Sequence, residues 1–120
     1  MIIDDASGQT LAEGWNRTEE LPTAHDVTDA IARLSAGDLG RASALTVVCT
    51  AEPCPMCASA IVWTGIGRVV YGTSSNTLRA RGKLGIDIGL DEVVRRSFRE
   101  RAIEHIGGVL EAECDLLYSD

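Results

Sequence analysis

The sequence predicts an α/β fold, a three-layer sandwich around a mostly parallel or mixed sheet. Short β-branched runs, ALTVVCT at 44–50 and RVVYG at 68–72, alternate with segments of helical spacing. Twelve glycines supply tight turns between them. A chain of 120 residues, 45% hydrophobic and 24% charged, buries one core without disulfide or metal staples. We therefore read residues 1–120 as a single domain.

The elements follow in order. Residues 1–3 and 9–15 read as two strands, with Ser7-Gly8 in the turn between them. The polar stretch 16–24, ending near Pro22, is a loop. Over 25–36, Val27, Ile31 and Leu34 sit at helical spacing, with Gly37 placed to cap the end. After the 44–50 strand, Glu52-Pro53 breaks the run, and 56–64 forms an apolar helix stopped by Gly65. A strand at 68–72 precedes an irregular 73–90, which has three glycines and no firm period. A helix at 91–98 carries acids first and arginines later, matching the helix dipole. A strand at 103–109 and a helix at 110–118 complete the chain.

The formal net charge is −7. An acidic surface repels phosphate backbones, which disfavours general nucleic-acid binding. The longest uncharged stretch, 53–67, is too short and too rich in Pro and Gly to span a bilayer. The start, MIIDD, has no basic region before an apolar run, which argues against a signal peptide and for the cytoplasm. In that reducing setting a Cys-x-x-Cys pair points to metal or redox chemistry. Cys49 and Cys114, in apolar or helix-like settings, read as core residues.

The chemistry gathers at Pro53-Cys54-Pro55-Met56-Cys57, a strand-to-helix junction. Two thiolates three residues apart at a helix N-terminus can face one ion, and the positive helix end favours their charged form. His25, at the start of the preceding helix, completes a Cys₂His set that leaves the fourth tetrahedral position for water. That is the pattern of a catalytic zinc. Three other readings stand beside it: a redox pair, a structural zinc completed by His105 or Cys49, and His25 as a plain helix cap.

The segment TAEPCPMCASAIVW, 50–63, resembles the zinc-binding segment of the cytidine/deoxycytidylate deaminase-like superfamily. It is most similar to the guanine deaminase and tRNA-adenosine deaminase branch. EGWNRTEE at 13–20, PTAH at 22–25 and GGVLEAEC at 107–114 extend the likeness over most of the chain. The resemblance implies a cytidine deaminase-like αβα sandwich with a mixed five-stranded sheet. It also implies one zinc per chain held by His25, Cys54 and Cys57, and a homodimer. The implied reaction is hydrolytic deamination of a free nucleobase or related amino-heterocycle such as guanine, cytosine or a triazine-like ring. On the same likeness Asn16 reads a base edge, Trp63 lies near the base and Tyr118 closes the pocket. Relatives usually have a helix before the first strand, whereas this chain starts inside that strand. One sheet face is therefore expected bare, covered by a partner, or covered by residues upstream.

The family's proton-carrying acid stands two residues after the histidine, and here Val27 holds that position. A one-residue shift would make Asp26 the acid, at the cost of about 100° of helical rotation. Asp29, one turn on, and Glu52, before the thiolate pair, are two further candidates. Asp26 leads them, level with the reading that nothing replaces the acid and that the protein binds a base or partner without turnover.

Overall fold

The structure, a computed structural model, describes residues 1–119. Strands β1 (Ile2–Asp4) and β2 (Thr10–Ala12) form an antiparallel hairpin. Asp4 closes its turn by accepting the Ser7 hydroxyl at 2.6 Å, and Gly8 takes the left-handed position at φ +72°. Helix α1 (Asp26–Ala32) and the one-turn α2 (Ala36–Leu39) lead to β3 (Leu45–Ala51). Then come α3 (Pro55–Thr64), β4 (Arg68–Thr73), α4 (Ser75–Ala80), α5 (Leu90–Arg95), β5 (Glu104–Ile106) and α6 (Glu111–Leu116).

The sheet is mixed, in the order β2-β1-β3-β4-β5. β1 runs antiparallel to β2 and β3, whereas β3, β4 and β5 are parallel. Register places Ile2 beside Val47 and Val47 beside Val69, so these three share one face. That face carries the core: Ile2, Leu45, Val47 and Val69 lose all solvent contact, together with Ile61 of α3 and Ile66. Each such side chain contributes about 1.5–3 kcal/mol by leaving water. Helices α1, α3 and α5 close this layer through Val27, Ala58 and Val94.

The opposite face is far less covered. Val48, Val70 and Ile106 stand in register on it, and Ile106 is 42% exposed. Helix α6 lies across one end, where a Cβ on Gly72 would meet the Cys114 sulfur at 2.3 Å. Only glycine lets the helix come so close. Cys114 is thus half-buried over the sheet rather than inside the core, while Cys49 is buried as expected.

Element boundaries differ from the sequence reading for local reasons. Helix α1 stops at Arg33 because Ser35 caps a new helix, accepting the Asp38 N–H, and Gly37 falls inside α2 instead of capping α1. Strand β2 ends early because the Trp15 N–H goes to the Asp29 carboxylate. Helix α4 lies in the stretch read as irregular. It buries only Leu78, too little for an apolar period, and rests on the Ser74 hydroxyl as its N-cap.

Candidate metal centre and substrate cavity

Two helix starts meet at the end of β3. Cys54 is the N-cap of α3 in extended conformation, and Pro55 occupies the first helical position, where its missing N–H costs nothing. Cys57 then falls on the first turn, 2% exposed. His25 is the N-cap of α1, with its N–H donated to the Thr28 hydroxyl at 3.0 Å. α1 packs beside α3, and this brings the imidazole to the thiols.

His25 Nδ1 lies 3.5 Å from Cys54 Sγ and 3.6 Å from Cys57 Sγ, and the three donor atoms all lie within 4.8 Å of one another. A tetrahedral zinc with Zn–S about 2.3 Å and Zn–N about 2.05 Å requires S···N edges of about 3.6 Å. The donor set therefore fits zinc in chemistry and in spacing. The two thiols divide their protons unequally. A hydrogen bond from the Cys57 thiol, helped by backbone N–H groups and His25, draws Cys54 down to about 5 against the opposing effect of burial. Cys57 is pushed up, first by that same bond and then by burial, the Cys54 charge and Asp26.

A cavity of about 680 Å³ opens beside the three donors. Asp26 and Asn16 border it on one side, and Thr50, Leu110, Cys114 and Tyr118 on another. The Tyr118 hydroxyl lies 2.7 Å from the Thr50 hydroxyl, which joins α6's end to β3. Asn16 sits at the rim, its carbonyl oxygen accepting the Thr18 N–H at 3.1 Å, so it serves a turn while facing the cavity. Burial first, then the negative charge of Asp26, raises the Cys49 thiol to about 12.

The acid candidates separate by environment. Val27 is 2% exposed and packs in the core, and it also borders the cavity. Asp29 is 4% exposed and serves the loop before α1: it accepts the Trp15 N–H at 3.1 Å, Arg17 at 2.8 Å and Arg33 at 3.3 Å. Glu52 accepts two backbone N–H groups, of Ser75 and Leu90. Asp26 makes no side-chain hydrogen bond or ion pair to the other described residues, and it borders the cavity.

Trp63 lies apart from the donor cluster. It is 79% exposed on the far part of α3, tilted against Phe98 with ring centroids 5.3 Å apart. Nine positions of helix carry it about 13 Å along the axis from Cys54. It does not border the cavity. His105 pairs with Asp91 at 3.5 Å and takes no part in the donor cluster. The sequence reading passed over Thr50 and Leu110. Thr50 had one available signal: it is the outward-facing residue at the end of β3, beside the cysteine turn. Leu110 had none, because its cavity position follows from a left-handed backbone at φ 50°.

Comparison with known proteins accords with this geometry. Residues 1–73 match the family described as the cytidine and deoxycytidylate deaminase zinc-binding region. A tRNA-specific adenosine deaminase of Haemophilus influenzae is 37% identical over 86 residues, 68% of this chain and 49% of that protein. The chain spans about half the length of three of the curated relatives it matches and 14% and 6% of two others. A solved guanine deaminase from Nitrosomonas europaea superposes with a TM-score of 0.74 at 26% identity, covering 98% of this chain and 68% of that one. A structure from work on A-to-I editing by tRNA:A34 deaminases gives 0.68 at 25% identity, covering 97% and 80%. With its sheet order, its cysteine turn and its histidine all in place, the chain belongs to the cytidine and deoxycytidylate deaminase zinc-binding family.

Proposed function

We propose that the protein hydrolytically deaminates a free nucleobase or a related amino-heterocycle, with Asp26 as the proton carrier. The observation that carries this reading is the position of Asp26. Val27 and Glu52 border the same cavity, but Val27 has no titratable group, and the carboxylates of Asp29 and Glu52 are committed to backbone N–H groups. That leaves Asp26 as the uncommitted acid beside His25, Cys54 and Cys57. The size of the cavity suits a ring-sized ligand, since such pockets run to about 300–1,000 Å³.

His25, Cys54 and Cys57 would hold the metal. When bound, a zinc ion makes water a nucleophile near neutral pH. Asp26 would pass one proton of the attacking water to the adjacent ring nitrogen and the other to the departing amino nitrogen, so that the N=C–NH2 unit and water become an HN–C=O unit and ammonia. Asn16 would hold the ring edge, and Tyr118 with Thr50 would bound the far side.

A small ring is favoured over tRNA by the net charge of −7, which repels a polyanion. Relatives of both kinds exist: the Haemophilus protein is named for tRNA and the Nitrosomonas protein for guanine. Ammonia release on a panel of guanine, cytosine, a triazine-like ring and a tRNA anticodon stem-loop tests the choice. A second reading, a zinc-binding protein without turnover, is favoured by the buried Val27 at the family's acid position. The exposed side of the sheet around Ile106 supports a homodimer that covers it. We place the protein in the cytoplasm from its sequence. No helix among the described residues is long and apolar enough to cross a membrane.

A further inference from the structure

Glu52 stands two residues before Cys54, yet its carboxylate is bound elsewhere. Oε1 accepts the Ser75 N–H at 3.1 Å, and Oε2 accepts the Leu90 N–H at 2.8 Å. These are the first residues of α4 and α5, whose N–H groups have no partner within their own helices. A Cβ on Gly89 would come within 3.2 Å of Oε2, so the chain before α5 approaches closely. The Glu52 backbone N–H donates to the Thr73 carbonyl at 2.8 Å, which fixes the same residue to the end of β4. Together with Pro53, Cys54 and His25, Glu52 borders both the large cavity and a second one of about 310 Å³.

The geometry assigns Glu52 the role of a positioning residue: its carboxylate ties the turn that carries Cys54 to the first turns of α4 and α5. The Cys54 sulfur is thereby held at the place that His25 and Cys57 require. This inference rests on the metal reading above. Charge-assisted bonds to two separate helices are strong and directional. If they are lost, the turn must be ordered each time an ion binds, and affinity falls. Groups that orient metal ligands from outside typically change affinity by about 10–100-fold when altered. Glu52 acts through the backbone, so the lower end of that range applies.

Two variants test the same bonds from opposite ends. Glu52→Gln keeps the size but turns one acceptor into a donor that faces an N–H. Ser75→Pro removes only the donor. Proline suits the first position of a helix, and Ser74 already has the extended backbone, φ −78° and ψ 158°, that a following proline requires. Parent and variants are loaded with zinc and titrated against a chromophoric chelator, and unfolding of the metal-free and loaded forms is followed. Both variants are expected to weaken zinc binding about 10-fold. The loaded form should then lose more stability than the metal-free form. Unchanged zinc affinity, with equal loss of stability in both forms, would overturn the assignment and leave Glu52 a general clamp. A parent that takes up no zinc would overturn the metal reading itself, and this role with it. If Glu52→Gln does not fold, Ser75→Pro decides alone.

Discussion

The Nδ1 atom of His25 lies 3.5 Å from the sulfur of Cys54, although 29 positions separate them in the chain. Two helix starts make that contact, and the spacing is that of a tetrahedral edge around zinc. One tightly held zinc per chain is therefore expected, measured by atomic emission on the purified protein. Cys57→Ser should lose it. Full metal retention in that variant would count against this donor set.

The buried Asp29 gives a prediction about pH. A hydrogen bond from the Trp15 N–H, then those from Arg17 and Arg33, hold its carboxyl below the ordinary 3.8, against the opposing effect of burial. In the unfolded chain it returns to that ordinary value, so the unfolded state binds the proton first as pH falls. The stability from Asp29 is thus complete above 3.8 and is lost as pH falls through the lower folded value. Asp29→Asn should melt below the parent at neutral pH, and the gap should narrow in acid. A gap that stays constant down to acid pH would show that the carboxylate's charge is not what stabilises the loop.

How far the sequence could be read depended on what each feature required. The central strands, α3 and the three side chains of the candidate metal centre carry local signals: β-branched runs, Pro at a helix start, and Cys-x-x-Cys beside an apolar period. Trp63 does not, because a helix aromatic gives no sign of which end of the helix it shares with the site. Helix α4 was missed because it buries a single leucine. The duties of Asp29 and Glu52 depend on N–H groups 14 to 38 positions away, which no local pattern carries.

The placement of Trp63 and Tyr118 predicts contrasting kinetics. Trp63→Ala should leave kcat and KM within about twofold, since the ring lies outside the cavity and makes only a surface contact with Phe98. Tyr118→Phe removes the hydroxyl that meets Thr50 at 2.7 Å. A neutral hydrogen bond of about 0.5–1.5 kcal/mol corresponds to roughly 2- to 10-fold, expected in KM. Equal effects in the two variants would contradict the cavity as drawn.

Assembly offers a separate check. The outer sheet face around Ile106, beyond the cavity that Val48 and Val70 border, should be covered by a second copy, so sedimentation should find a dimer at micromolar concentration. Ile106→Asp should shift it toward monomer. A parent that stays monomeric throughout would remove the proposal.

Whether Asp26 moves the proton is decided by ammonia release, measured with zinc content alongside. On the ring that the parent turns over, Asp26→Asn should lower the rate by about 10²–10⁴-fold while zinc stays bound. Val27 also borders the cavity, so Val27→Glu would bring a second carboxylate to it; with Asp26 already carrying the proton, that variant should not raise activity. The contradicting result is equally clear. An Asp26→Asn variant as active as the parent, or an inactive parent that Val27→Glu revives, would show that Asp26 is not the proton carrier.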